Sequence, residues 1–195
     1  MSAAVMPKIA LFARYPTPGA AKTRLIPTLG GEGAAQVHRR LVERTIATIR
    51  ESGVPFALWF TGASREEFAV WLGEDVELVE QREGDLGERL ACVVAPAILL
   101  GADVPDLPAQ TLRQAVNGLK TSDVVIGPAL DGGYYLLGFN QPVPFLFDDM
   151  PWGTEGVLAA TMARLSTRGL KPLMLDPLDD CDRPEDLERH PELFA

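Results

Sequence analysis

The chain has 195 residues, 47% of them hydrophobic, with a formal net charge of −9. That length and balance predict one globular domain over residues 1–195, exclude a fibrous or disordered chain, and argue against a broad nucleic-acid surface. Residues 1–50 nevertheless hold eight Lys or Arg against two Glu, a local +6 that leaves −15 for the rest, which predicts a localised anion site beside a solvated helix face carrying Arg39, Arg40, Arg44 and Arg50.

Taken in chain order, MSAAVMPK has no basic region ahead of a long apolar one, so no signal peptide is expected. Lys8 to Arg14 reads as a short buried strand, followed by a loop to about Gly30 and a long helix with Val37, Leu41 and Ile49 on one side. A second strand is predicted over Pro55 to Phe60. A helix follows, opened by Ser64 with Glu67 three residues on. Glu77 to Gln81 reads as an edge-like strand. ACVVAPAILLGAD ends in a buried strand, and PAQTLRQAVNGLK is a helix begun by proline and ended near glycine. Ala91 to Leu100, broken by Pro96, is too short to span a bilayer.

DVVIGPALDGGYYLLGF then changes the rhythm to two short strands joined by a loop. A helix over Thr154 to Ser166, a strand over Pro172 to Leu175 and the acidic tail DPLDDCDRPEDLERH complete the chain. Alternating strands and helices predict an α/β protein, a single-domain Rossmann-like three-layer α/β/α sandwich on a mostly parallel, mixed sheet. Cys92 and Cys181 make neither a disulfide framework nor a thiolate metal site and suit a reducing cytoplasm. His38 and His190 have no metal-ligand spacing and read as structural or surface residues.

In open α/β sheets ligands lie beyond the carboxyl ends of the strands, and Arg14 to Arg24 (RYPTPGAAKTR) occupies that position after strand one. Gly19, Ala20 and Ala21 let backbone amides approach an anion; Lys22 offers a point charge and Arg24 a planar grip. The run is not a GxxxxGK phosphate loop, since Gly19 is its only glycine, and Gly30, Gly31 and Gly33 do not spell GxGxxG. Asp103, just past a buried strand, is placed to take a divalent cation, and Asp106 to cap the helix beginning at Pro108. Asp131 precedes two glycines that hold a turn or leave room for substrate, and only one of Tyr134 and Tyr135 should face a pocket. Among Asp179, Asp180 and Asp182, one completes a metal shell and the others face solvent or cap the last helix, as Asp182 is placed to do. Hard oxygen donors imply Mg or Mn.

FARYPTPGAAKTRL, LGERL, GADVPDL, GPALDGGYYLLG and PWGTEGVL together resemble a bacterial family of GT-A-like nucleotide-diphospho-sugar transferases. It is related in fold to the guanylyltransferases of molybdenum-cofactor and F420 synthesis. The resemblance covers about residues 8 to 189 and implies a nucleotide held over the carboxyl ends of the strands. By the same likeness, Arg14, Gly19, Lys22 and Arg24 form the phosphate-side loop and Asp103 is the metal-binding acid, with Asp182 the candidate second ligand. Asp131, Gly132 and Gly133 form the acceptor-side turn, and Trp152, Thr154 and Glu155 line the pocket or touch the acceptor. This chain departs from the family in having only ACVVAPAI between Leu90 and the following strand. A face element is shortened, which exposes surface and invites a partner chain, so that a homodimer is also expected. Val104 replaces the family's usual cysteine, and DDCDRPEDL replaces its usual DxDTPEDL.

Three functions are compatible with this pattern. The first is metal-dependent glycosyl transfer from a nucleotide-diphospho-sugar to a hydroxyl acceptor, with Lys22 and Arg24 offsetting charge on the departing diphosphate and Asp131 handling the acceptor proton. The second is nucleotidyl transfer from a nucleoside triphosphate to a phosphorylated small molecule. The third is nucleotide binding without catalysis.

Overall fold

The computed structural model describes residues 6–194. Its strands are β1 (Lys8–Arg14), β2 (Phe56–Thr61), β3 (Leu78–Glu80), β4 (Ala97–Gly101), β5 (Val124–Pro128), β6 (Tyr134–Phe139) and β7 (Leu173–Met174). They form one sheet in the order β3-β2-β1-β4-β6-β5-β7. All neighbours run parallel except β6, which is antiparallel to both β4 and β5. The change of rhythm at GPALDGGYYLLG is this reversal: β5 and β6 pair through Ile126 and Leu137 in an antiparallel ladder.

The helices are α1 (Ile26–Ser52), α2 (Arg65–Leu72), α3 (Leu86–Ala91), α4 (Ala109–Gly118), α5 (Val157–Thr167) and α6 (Pro184–Leu187). Alternation along β1 explains their placement, because successive side chains point to opposite faces. Ile9, Leu11 and Ala13 join α1, α2 and α4 in one core through Val42, Ile46, Phe68 and Leu112. Ala10 joins the other core, with Leu90 of α3 and Leu165 of α5. The result is the expected three-layer α/β/α sandwich.

Two local expectations need revision, and one helix, α3, was not expected. Helical structure begins before Gly30, with a 3-10 turn at Thr23–Leu25 and the first turn of α1 at Ile26; Gly30 breaks the helix instead of preceding it. Thr154 to Gly156 form a turn ahead of α5, in which the Thr154 hydroxyl donates to the Pro151 carbonyl (2.8 Å). Helix α3 is six residues long, too short to show periodicity, and is held by a reciprocal cap between Asp85 and Glu88.

A third apolar cluster positions the site. Leu25 and Val37 and Leu41 of α1 pack with Cys181, Leu187 and Leu193 of the tail, so the chain's end is bound against its beginning. The tail reaches that point along the sheet's carboxyl edge. Leu178 bonds Pro128 and Leu130, and the Cys181 amide donates to the Asp103 carbonyl at 2.8 Å.

Candidate functional site: two pockets that share Asp103

The loop after β1 brings Lys22 to a left-handed conformation (φ 48) that turns its side chain inward. Only 5% of that side chain is exposed. Its ammonium donates to the Cys181 carbonyl at 2.7 Å and lies 2.6 Å from Asp103 Oδ1 and 3.5 Å from Asp182 Oδ1. A buried ammonium is costly unless paired and hydrogen-bonded, and the tail supplies two of its three partners. Around it lies a pocket of about 220 Å3 lined by Arg14, Ala20, Ala21, Lys22, His38, Asp103 and Asp182. His38 is buried with Nε2 2.9 Å from the Arg14 carbonyl, and burial pushes its imidazole below its ordinary value, so it is neutral at pH 7.

A second cleft, of about 290 Å3, also includes Asp103 in its lining. Its floor is the carboxyl end of β4 (Leu99 to Gly101). Phe12, Leu86, Leu90, Tyr134, Trp152 and Val157 form its largely apolar walls; Asp103, Asp131 and Thr154 are its polar side chains apart from the tyrosine hydroxyls and the Trp152 indole N–H. Trp152 stacks on Phe147 at 6.5 Å and meets Tyr134 edge-on at 6.4 Å. Gly87 admits this packing, since a Cβ there would lie 2.5 Å from the Phe147 carbonyl oxygen and 3.2 Å from Trp152 Nε1. Tyr134 packs in the α3/α5 core, whereas Tyr135 belongs to the opposite one and donates its hydroxyl to the Asp176 carbonyl. The Tyr134 hydroxyl is buried and has no hydrogen-bond partner among the described residues.

The carboxylates at the junction differ in state. Burial pushes the Asp103 carboxyl up, but the Lys22 ammonium and its hydrogen bond outweigh that and hold it below its ordinary value. For Lys22, burial lowers the pKa, and the Asp103 charge and hydrogen bond overcompensate and raise it. The pair is therefore ionic at pH 7. Asp180 moves the other way: burial, then the Asp131 charge, pushes it up to about 6.

Of the residues the sequence singled out, Arg14, Lys22, Asp103 and Asp182 meet at the basic pocket, while Asp131, Gly133, Trp152 and Thr154 line the cleft. Arg24 is exposed and bonded to Asp182. Gly19, at φ +81, makes the loop's turn and is not among the lining residues of either pocket. Gly132, at φ +90, is pressed against Glu155, whose carbonyl oxygen a Cβ would approach to 2.4 Å. Glu155 thus enters through its backbone and is not a lining side chain. The expected cap roles fail. Asp106 pairs with Arg44 at 3.1 Å, and α4 follows Pro108 at its N-cap with no side-chain cap. The turn into α6 is capped by Asp186, which accepts from the Asp182 and Arg183 amides, leaving the Asp182 carboxylate to Arg24 and Lys22. His190 is buried, with Nε2 3.9 Å from Asp106 and Nδ1 3.6 Å from Glu192. The sequence reading did not single out Leu86 and Leu90 as site residues, although both lie in the LGERL motif.

Residues 45–154, more than half of the chain, match the family model described as "Uncharacterized protein conserved in bacteria (DUF2064)". No curated protein matches the sequence. Among solved structures, the chain is similar to a candidate nucleotide-diphospho-sugar transferase from Desulfovibrio desulfuricans G20: TM-score 0.86, 32% identity, 93% of this chain and 84% of that one. At the level of fold it also resembles the inositol-1-phosphate CTP transferase of T. maritima (TM-score 0.62, 17% identity, 100% and 96% covered). A further likeness is to the glucosyl-3-phosphoglycerate synthase of Mycobacterium tuberculosis, solved with Mn2+, UDP and phosphoglyceric acid (TM-score 0.53, 12% identity, 94% and 74% covered). The matched span contains Asp103, Asp131 and Trp152, and with the 32% identity over nearly the whole chain it establishes that the protein belongs to the bacterial DUF2064 family, on the fold of the nucleotide-diphospho-sugar transferases.

Proposed function

We propose that the protein is a glycosyltransferase that moves a sugar from a nucleotide-diphospho-sugar to a hydroxyl acceptor. The observation that carries this reading is the meeting, at one carboxylate, Asp103, of a polar pocket that holds Arg14 and Lys22 beside Asp103 and Asp182 and an apolar cleft. A donor diphosphate fits the side holding Arg14 and Lys22, and an acceptor fits the side holding Asp131 and Trp152. The candidate transferase from Desulfovibrio supports it.

The donor set suits a hard divalent cation, Mg or Mn. Asp103 is 51% exposed at the junction, and Asp180 lies near enough to Asp131 and Asp103 for their charges to hold its carboxyl up. Asp103 with Asp180 would hold the ion. Asp182, bonded to Arg24 and Lys22, would instead position the two cations. Among the described residues no three His, Cys, Asp or Glu side chains form a ready cage, so donor phosphate oxygens would have to complete the coordination. When bound, the ion supplies charge stabilisation for the leaving diphosphate.

In the transfer step the acceptor oxygen bonds to the anomeric carbon as that carbon's bond to the diphosphate oxygen breaks, and the electron pair leaves with the nucleotide. Lys22 and Arg14 offset the charge that develops there. Asp131, kept in place by the Gly133 amide donating to Oδ1 at 2.8 Å, takes the acceptor's proton.

Nucleotidyl transfer is the second reading, favoured by the full-length likeness to a CTP transferase. Calorimetry of nucleoside triphosphates and nucleotide sugars, with and without Mn, on the wild type and Asp103→Ala separates the two. Mn-dependent binding of a nucleotide sugar, lost in Asp103→Ala, is the expected result. Preference for a triphosphate would transfer the assignment to nucleotidyl transfer, and no binding by any member would overturn both.

A further inference from the structure

The apolar cleft has a charge character that narrows the acceptor, an inference that rests on the transferase reading. Among the described residues no Lys, Arg or His lines it. The nearby cations are committed elsewhere. Lys22 is bonded to Asp103 and the Cys181 carbonyl on the other side of the junction. Arg164, which acts on the Tyr134 hydroxyl by its charge, directs its donors to the Phe145 (3.1 Å) and Asp149 (3.2 Å) carbonyls. The charged side chains that do face the cleft are carboxylates, Asp103 and Asp131.

Asp103 is already paired with Lys22, so a phosphorylated or carboxylated acceptor would find no free cationic side chain in the cleft's lining and would face the Asp131 carboxylate, an arrangement that costs affinity in a partly desolvated site. The walls ask for the opposite chemistry. Leu90 and Trp152 present apolar and ring surfaces, and Phe12, stacked on Trp59 at 5.5 Å, adds a third. Flat apolar groups bury well against such rings. The volume of about 290 Å3 lies at the lower end of small-molecule sites (about 300–1,000 Å3), which fits one or two rings and not a long lipid or a peptide.

We infer that the acceptor is a neutral alcohol or phenol carried on a flat apolar ring system, its ring between Trp152 and Leu90 and its hydroxyl at the Asp131 end. This distinguishes the cleft from one built for a sugar phosphate. It also favours sugar transfer to a hydroxyl over nucleotide transfer to a phosphate.

The test is ligand-observed NMR with 2-(2-naphthyl)ethanol and its phosphate monoester in metal-free buffer. The wild type is compared with Trp152→Ala and with Leu86→Arg, and folding of each variant is checked by its amide spectrum. Leu86 is 42% exposed at the cleft, so a cation there leaves the core intact. The alcohol is expected to bind at least about tenfold more tightly than the ester in the wild type. Trp152→Ala should weaken it, and Leu86→Arg should shift the alcohol-to-ester ratio at least about tenfold toward the ester. Equal or tighter binding of the ester in the wild type, or an unchanged ratio in Leu86→Arg, would overturn the inference.

A second titration adds MnCl2 and UDP-glucose, then GDP-mannose. Alcohol binding that survives a saturating nucleotide sugar supports the acceptor assignment. Competitive displacement would give the cleft to the donor and sink the inference while leaving sugar transfer in place. Failure of every nucleotide sugar in the calorimetric panel, with the alcohol preference intact, would instead remove the sugar-transfer reading and leave the cleft's ligand class standing.

Discussion

The Lys22–Asp103 pair is the contact on which the geometry of both pockets turns, and its strength can be worked out from the structure. At 2.6 Å and an effective dielectric of about 20, the attraction is about 6 kcal/mol. Burying the ammonium to 5% exposure offsets several kcal/mol of that, and the 51% exposed carboxylate is screened by water, leaving a net of roughly 1–3 kcal/mol. Asp103→Asn and Lys22→Met should each destabilise the fold by about 2 kcal/mol, or about 4–8 °C in Tm for a chain of this size. The double variant should show a coupling of at least about 1 kcal/mol. Urea unfolding in chelator-containing buffer gives all four corners of the cycle. The pH dependence provides an independent check. Asp103 is held below its unfolded value, so its contribution is present above the unfolded carboxylate range (about 3.9) and is lost as pH falls through the lower folded value. Lys22 is raised, so its contribution is present below about 10.4 and is lost as pH rises through the higher folded value. The difference between wild type and Asp103→Asn should thus be full at pH 7 and shrink below pH 4. Additivity within about 0.3 kcal/mol, or a difference independent of pH, would refute a buried ion pair at the junction.

Asp180→Asn should stabilise the protein by about 1–2 kcal/mol at pH 7.5 after allowance for screening, and have no effect below pH 4. An acid raised to about 6 weakens the fold as pH rises through the interval between its unfolded value and 6, and chemical denaturation at the two pH values reads it. Tyr134→Phe deletes a buried hydroxyl with no partner and should raise stability by about 1 kcal/mol, seen as a higher urea midpoint at unchanged slope; a lower midpoint would show that the hydroxyl is satisfied in solution. Gly132→Ala forces a side chain into a left-handed turn and against the Glu155 carbonyl oxygen. It should cost more than about 2 kcal/mol and broaden the amide signals of residues 129–133 and 154–158, whereas full stability would mean that the turn re-forms elsewhere.

The sheet was legible in the sequence because its signals are local. KIALFAR alternates between two cores and AILLG is buried almost throughout, as interior parallel strands must be. The reversal at β6 was legible from GPALDGGYYLLG for the same reason, since two apolar runs joined by a short glycine turn pair as a hairpin. Helix α3 left a fainter trace: Asp85 and Glu88 spell a reciprocal cap, but six residues give periodicity nothing to act on.

What the sequence hid depends on contacts between distant segments. The clustered charges after β1 predicted an anion site, yet nothing near Lys22 announces that its ammonium is turned inward. That follows from a tail whose Cys181 carbonyl lies 159 residues away in the chain. The same closure gives the tail aspartates different surroundings. Spacing alone made Asp182 a helix cap or a metal ligand, but the packing of Cys181 and Leu187 on α1 brings its carboxylate to Arg24 and leaves Asp180 under the charges of Asp131 and Asp103. Asp106 was misread for a related reason. Two residues before Pro108 it has the local pattern of a cap, and only the packing of α1 beside α4 reveals Arg44 as its partner. The pocket around Lys22 therefore forms where the loop after β1 and the tail close over the sheet. A variant that loosens the tail, such as Leu187→Ala, should disturb Lys22 and the basic pocket before it disturbs the apolar cleft, whose walls come from residues 12–157.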